Sequence, residues 1–144
     1  MKIEDLLAHR EPFLFIDEVL ELIPGKSSKA VKYVREDEFW VKGHFPGNPI
    51  FPGVLLLETM AQGGGIIFNG GEGHSIKEHQ VYITKVDKLK FIRPVFIGDK
   101  IIIEGTFIER FGTFGKIKTA AYVNDKKAAE AIITYVITKK LEQI

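Results

Sequence analysis

The chain has 144 residues, 45% of them apolar and 27% charged, with 20 Lys and Arg against 19 Asp and Glu for a net charge of +1. This is the composition of one globular domain with room for a core, so residues 1–144 are expected to form a single domain. Near-neutral charge supplies no field to hold nucleic acid, and the absence of cysteine excludes disulfides, zinc fingers and thiol nucleophiles. No run approaches the roughly 20 apolar residues of a membrane span, and MKIEDLLAHR has no apolar signal core, so a soluble cytoplasmic protein is expected.

In chain order, Phe13 to Leu22 reads as a strand closed by the Pro24-Gly25 turn, and Ser27 to Arg35 as a second strand. A Pro- and Gly-rich loop from Gly43 to Gly53 leads into the apolar run Val54–Phe68, which reads as one long helix. Gly70 to Gly73 reads as a loop. The segments 80–91, 99–109, 116–123 and 128–137 are rich in β-branched and aromatic residues. Their short connections predict a meander of about four antiparallel strands. One apolar helix and one sheet must cover each other, which makes the fold α+β.

The 29 residues from Gly43 to Gly71 hold only two ionisable side chains, His44 and Glu58, where roughly nine or ten would fall by chance. The depletion predicts burial, and a carboxyl in an apolar helix is costly unless it is paired, neutralised or used. Desolvation would favour a protonated Glu58 able to act as an acid, while a neutral imidazole suits a base. The helix start lacks a capping side chain, since Pro52 precedes Gly53. The first amides around Gly53, Val54 and Leu55 are therefore expected to be free for a carbonyl oxygen. Glu58 and Gln62 share one helix face. Gly63-Gly64-Gly65 either ends the helix near Gln62 or permits close packing on the sheet.

The run GHFPGNPIFPGVLLLETMAQ closely resembles the signature of the β-hydroxyacyl-acyl-carrier-protein dehydratases, hot-dog-fold enzymes of type II fatty acid synthesis. HREPFLFID and FIRPVFIGD resemble further stretches of that family. The resemblance implies an antiparallel sheet wrapped around one long central helix. It implies conversion of (3R)-3-hydroxyacyl-acyl-carrier-protein to the trans-2-enoyl thioester without metal or cofactor. His44 and Glu58 would be catalytic, with the division of proton roles between them open, and the Gly53 amide would hold the thioester carbonyl. Glutamate rather than aspartate at position 58 points to the dehydratase-only branch. Ala8, Thr59 and Ile97 depart from the usual family residues, but none replaces either member of that pair. The family also implies an acyl carrier protein as partner, and homodimers, assembled as trimers of dimers, in which His of one subunit faces Glu of the other.

Lys85, Lys88, Lys90 and Arg93 form a basic cluster that is either a solvated sheet face or a docking patch for the acidic carrier. His9 is expected to anchor a turn, and His74 and His79 lack a metal-ligand spacing. Phe13, Phe15, Phe51, Phe91 and Phe96 are expected in the core, some of them lining an acyl tunnel. Other functions for the same chain are a hot-dog thioesterase, a dehydratase with added isomerase activity, and a non-enzymatic acyl-binding module.

Overall fold

A computed structural model describes residues 2–69 and 76–139. The element order is α1 (Ile3–Leu6), β1 (Glu18–Ile23), β2 (Ser27–Tyr33), α2 (Gly53–Gly65) with a 3₁₀ turn at Ile66–Phe68, β3 (His79–Phe91), β4 (Lys100–Phe111), β5 (Phe114–Val123) and β6 (Lys126–Lys139). The six strands form one antiparallel sheet in the order β1-β2-β4-β5-β6-β3. Helix α2 lies against β2, β4, β5 and β6. This is the α+β arrangement expected, with two corrections. Residues 13–17 precede the first strand rather than belonging to it. The last four strands are not one meander, because β3 pairs with β6 and not with β4.

The β4–β5 and β5–β6 hairpins follow from their two-residue turns. Gly112 has φ +60°, and Asn124 and Asp125 have φ +51° and +63°, the left-handed pair that matches strand twist. The connection 92–99 is also short, but it carries the chain across the sheet instead of folding it back. The Val34 amide donates to the Asp99 carbonyl (3.0 Å) and the Gly98 amide to the Val34 carbonyl (2.9 Å), which fixes its far end beside β2.

The triple glycine resolves in favour of close packing. The helix runs on through Gly65, and a Cβ at Gly63 would stand 2.7 Å from Ile103 Cγ2, one at Gly64 2.3 Å from Ile117 Cδ1. On the sheet side, a Cβ at Gly105 would meet the Gly64 Cα at 2.9 Å. Helix and strand thus touch backbone to backbone. Three sheet hydroxyls hold the helix there: Ser28 donates to the Gly63 carbonyl (2.8 Å), Tyr135 to Ala61 (2.6 Å) and Thr119 to Met60 (3.3 Å). These bonds and the buried Met60, Ile66, Ile67, Ile103, Ile117 and Ile133 offset the roughly 1 kcal/mol each helical glycine costs relative to alanine.

Burial of the charge-depleted window is only half as expected. The helix from Leu56 onward is mostly buried, but Phe45 is 50% and Val54 74% exposed in the single chain. Similarly, Phe15 and Phe51 are core residues, whereas Phe13, Phe91 and Phe96 are largely exposed. A buried ion pair that composition gave no hint of, Lys32 Nζ to Glu38 Oε1 at 2.8 Å, lies between the Phe15 and Phe51 rings and holds the segment before the His44 loop. Glu38 also accepts from the Arg35 amide, so neither charge is left bare.

Candidate active site

His44 stands on the loop between β2 and α2. The loop is pinned to the core by Phe51, whose amide donates to the Val95 carbonyl (2.8 Å) and whose ring meets Trp40 edge-on. The Ile50 amide donates to the His44 carbonyl (2.9 Å), and His44 Nδ1 lies 2.8 Å from the Ile50 carbonyl oxygen. A carbonyl only accepts, so Nδ1 must carry the proton, and the neutral ring keeps its lone pair on Nε2. The ring stacks on Phe45 at 4.1 Å, which fixes its plane. In this tautomer the nitrogen free to accept a proton is Nε2.

Gly53 opens α2, with Pro52 as the residue before it. Among the described residues no side chain caps this end, and the Gly53 and Val54 amides find no acceptor. The Leu55 amide, expected to be free as well, donates instead to the Pro52 carbonyl (3.0 Å). Two open amides at a helix N-terminus favour an oxygen carrying negative charge. The Phe91 ring lies over Gly53, 3.2–3.4 Å from where a Cβ would be.

Glu58 sits one turn further along the helix, with its side chain 20% exposed, and lines a cavity of about 500 Å³. Its Oε2 accepts from Gln62 Nε2 (3.0 Å) and lies 3.6 Å from His9 Nε2. Gln62 in turn bridges the strap that leads into β1, donating to the Phe13 carbonyl and accepting from the Phe15 amide, both at 2.9 Å. Tyr135, also on the cavity wall, is pushed well above the usual tyrosine range by burial and by the charge of Glu58, and so keeps its proton.

His9 is where sequence reasoning fell short. The turn is anchored not by His9 but by Arg10, which donates to the Leu7, His9 and Glu4 carbonyls. His9 faces Glu58 and lines the cavity. Burial lowers its pKa more than the neighbouring Glu58 raises it, and Arg10 lowers it further. The signal was present in HREPFLFID, where His9, Arg10 and Glu11 stand directly before an apolar run. His79 opens β3 on the same cavity, with a buried Nδ1 that has no partner among the described residues, while His74 and the loop at Gly70–Gly73 lie outside them.

The structure therefore brings Glu58, Gln62 and His9 together in one cavity, whose lining does not include His44. The Lys85, Lys88, Lys90 and Arg93 side chains are exposed on and just beyond β3. They are partly offset by Asp87, 3.6 Å from Lys85, and by Glu130, which pairs in register with Lys90.

An antiparallel sheet over one glycine-rich helix, with a histidine loop entering it and a carboxylate on it, defines a class. The FabA-like domain family matches residues 7–132, and the chain belongs to it. Within it, the chain is similar to 3-hydroxyacyl-acyl-carrier-protein dehydratase FabZ of Campylobacter fetus subsp. fetus, 42% identical over 97% of both proteins. It is 40% identical to the protein of the same name from Hydrogenobaculum sp., over 100% of this chain and 97% of that one. Among solved structures, the dehydratase heterocomplex ApeI:P from Xenorhabdus doucetiae superposes with a TM-score of 0.79, covering 99% of this chain and 93% of that chain at 12% identity. A hypothetical thioesterase with coenzyme A from Streptococcus pneumoniae TIGR4 gives 0.64, covering 87% and 90% at 10% identity. These structural likenesses establish the hot-dog fold and no more, since the fold serves more than one reaction.

Proposed function

We propose that the chain is a hydro-lyase that converts (3R)-3-hydroxyacyl-acyl-carrier-protein to trans-2-enoyl-acyl-carrier-protein, in cytoplasmic fatty acid synthesis. The observation that carries the chemistry is the Nδ1 contact to the Ile50 carbonyl, which leaves His44 Nε2 as a base. Nε2 takes the C2 proton, and charge develops on the thioester oxygen, held by the Gly53 amide. The C3–O bond breaks, and the departing hydroxyl takes a proton from Glu58 and leaves as water. Return of a proton from His44 to Glu58 through solvent resets the site. A thioesterase would need neither the preset imidazole nor a proton donor for a departing hydroxyl.

Since His44 does not line the cavity that Glu58 lines, the reading requires a second copy of the chain, with His44 of one subunit meeting Glu58 of the other. Two features support this. The 13-residue strand β3 ends the sheet, and its outer edge is unpaired among the described residues. Around the helix start, Phe45, Val54 and Phe91 are each at least half exposed, an apolar surface suited to burial. Trimers of dimers extend the same assembly. The exposed Lys85, Lys88, Lys90 and Arg93 form the docking patch for the acidic carrier.

The test is His44→Ala on 3-hydroxyacyl carrier substrate, following enoyl absorbance and free thiol together. The reading predicts a folded protein whose turnover falls at least about 10²-fold, the scale of a lost general base, with no thiol released by the parent. A folded variant with undiminished turnover refutes it, and thiol release by the parent favours hydrolysis.

A further inference from the structure

The two oxygens of Glu58 are treated differently. Both neighbours, Gln62 Nε2 at 3.0 Å and His9 Nε2 at 3.6 Å, face Oε2, and Oε1 has no partner among the described residues. We propose that His9 is a positioning residue: with Gln62 it anchors Oε2 as the accepting oxygen, so that the acid proton of Glu58 resides on Oε1, available to the substrate hydroxyl. This deepens the proposed dehydratase reading and rests on it.

Tautomer chemistry supports the assignment. A neutral imidazole with its proton on Nε2 presents a donor to Oε2 and leaves Nδ1, which is buried without a partner, as a bare lone pair. The opposite tautomer would set two lone pairs against each other and bury an unpaired N–H. At 3.6 Å the contact is an electrostatic one, a few tenths of an ångström from a hydrogen bond, and such contacts tighten when substrate fills a site. The charged and titratable groups around His9 are Glu58, Arg10 on its own strap, and His79, Tyr82 and Tyr135 on the cavity wall. Burial and Arg10 both hold the ring neutral, so it does not take the acid proton away from Glu58.

The strap that carries His9 is built to hold position. Asn69 donates to the Leu6 carbonyl (2.9 Å), Arg10 staples the turn, and Gln62 grips Phe13 and Phe15. The His9 ring stacks on Phe13 at 6.4 Å, an apolar contact that phenylalanine can keep.

The experiment compares His9→Phe, which keeps the stack and removes the donor, with His9→Gln, which restores a donor on a different frame. The assay is steady-state dehydration of the carrier-bound substrate. The proposal predicts a roughly tenfold lower kcat with KM within about twofold for His9→Phe, as for one lost hydrogen bond of about 1 kcal/mol. It predicts substantial recovery of kcat in His9→Gln. If His9→Phe does not fold, His9→Ala is read in its place. Wild-type kcat in the folded donor-less variant, a loss carried by KM alone, or an equal loss in His9→Gln overturns the proposal. Full activity in Glu58→Gln alone overturns instead the dehydratase reading beneath it.

Discussion

Replacing Gly105 with alanine probes the contact that sets the position of α2, and with it Glu58. The new methyl would lie 2.9 Å from the Gly64 Cα and 2.7 Å from Ser28 Oγ. Carbon–carbon contacts are comfortable at about 3.5–4.0 Å, so helix and strand must separate by about 0.6–1 Å. Neither a backbone atom nor a hydroxyl already donating to Gly63 can swing aside. Overpacking of this kind costs about 1–3 kcal/mol, and relieving the entropy of a strand glycine returns about 0.5–1 kcal/mol. At the midpoints of these ranges the net loss is about 1.3 kcal/mol, which lowers Tm by about 3–5 °C in a chain of this size. Thermal unfolding followed by circular dichroism at equal protein concentration measures it. Gly43→Ala, where a Cβ would meet nothing within 4 Å, is the matched control and should stay within about 0.5 kcal/mol of the parent. A Gly105→Ala protein that melts at or above the parent temperature would refute backbone contact as the reason for these glycines.

Gly53→Ala places a methyl 3.2–3.4 Å from the half-exposed Phe91 ring, which can turn away, so Tm should hold while turnover falls about tenfold from intrusion at the carbonyl site; unchanged turnover would remove Gly53 from the site. The lowered pKa of His9 means that the unfolded chain binds its proton first as pH falls. His9 therefore contributes nothing above about pH 6.5, the unfolded value, and stability is lost progressively as pH drops below it toward the folded value. Urea midpoints at pH 7.5 and 5.5 should fall more for the parent than for His9→Phe, and equal falls would contradict the burial of a neutral ring. Charge reversal at Lys90 and Arg93 should weaken turnover on carrier-bound substrate several-fold more than on a small thioester mimic; equal losses would argue against docking there.

The local chemistry of the sequence showed the helix and the two tight hairpins, because each depends on residues close together in the chain. What escaped it depends on partners far away. Whether Gly63-Gly64-Gly65 ends the helix or fits it to the sheet is settled by Ile103 and Ile117, some forty and fifty residues downstream. The strand partner of β3 is β6 because the turn at 92–99 crosses the sheet, and loop length alone does not distinguish a crossing from a hairpin. The scarcity of charge around Phe45 and Val54 was visible, but it marks a surface exposed in the single chain and not its core. His9 looked like a turn residue because the contact that matters, with Glu58, lies 49 positions away.

The central claim is that His44 of one copy and Glu58 of another complete a single site. Co-expression of His44→Ala and Glu58→Gln chains carrying different tags yields a mixed dimer purified through both. In a two-fold dimer, one of its two sites then carries both substitutions and the other neither. The account predicts that each single variant is inactive and that the mixed dimer turns over carrier-bound 3-hydroxyacyl substrate at about half the parental rate. A mixed dimer no more active than the two variants apart would contradict it.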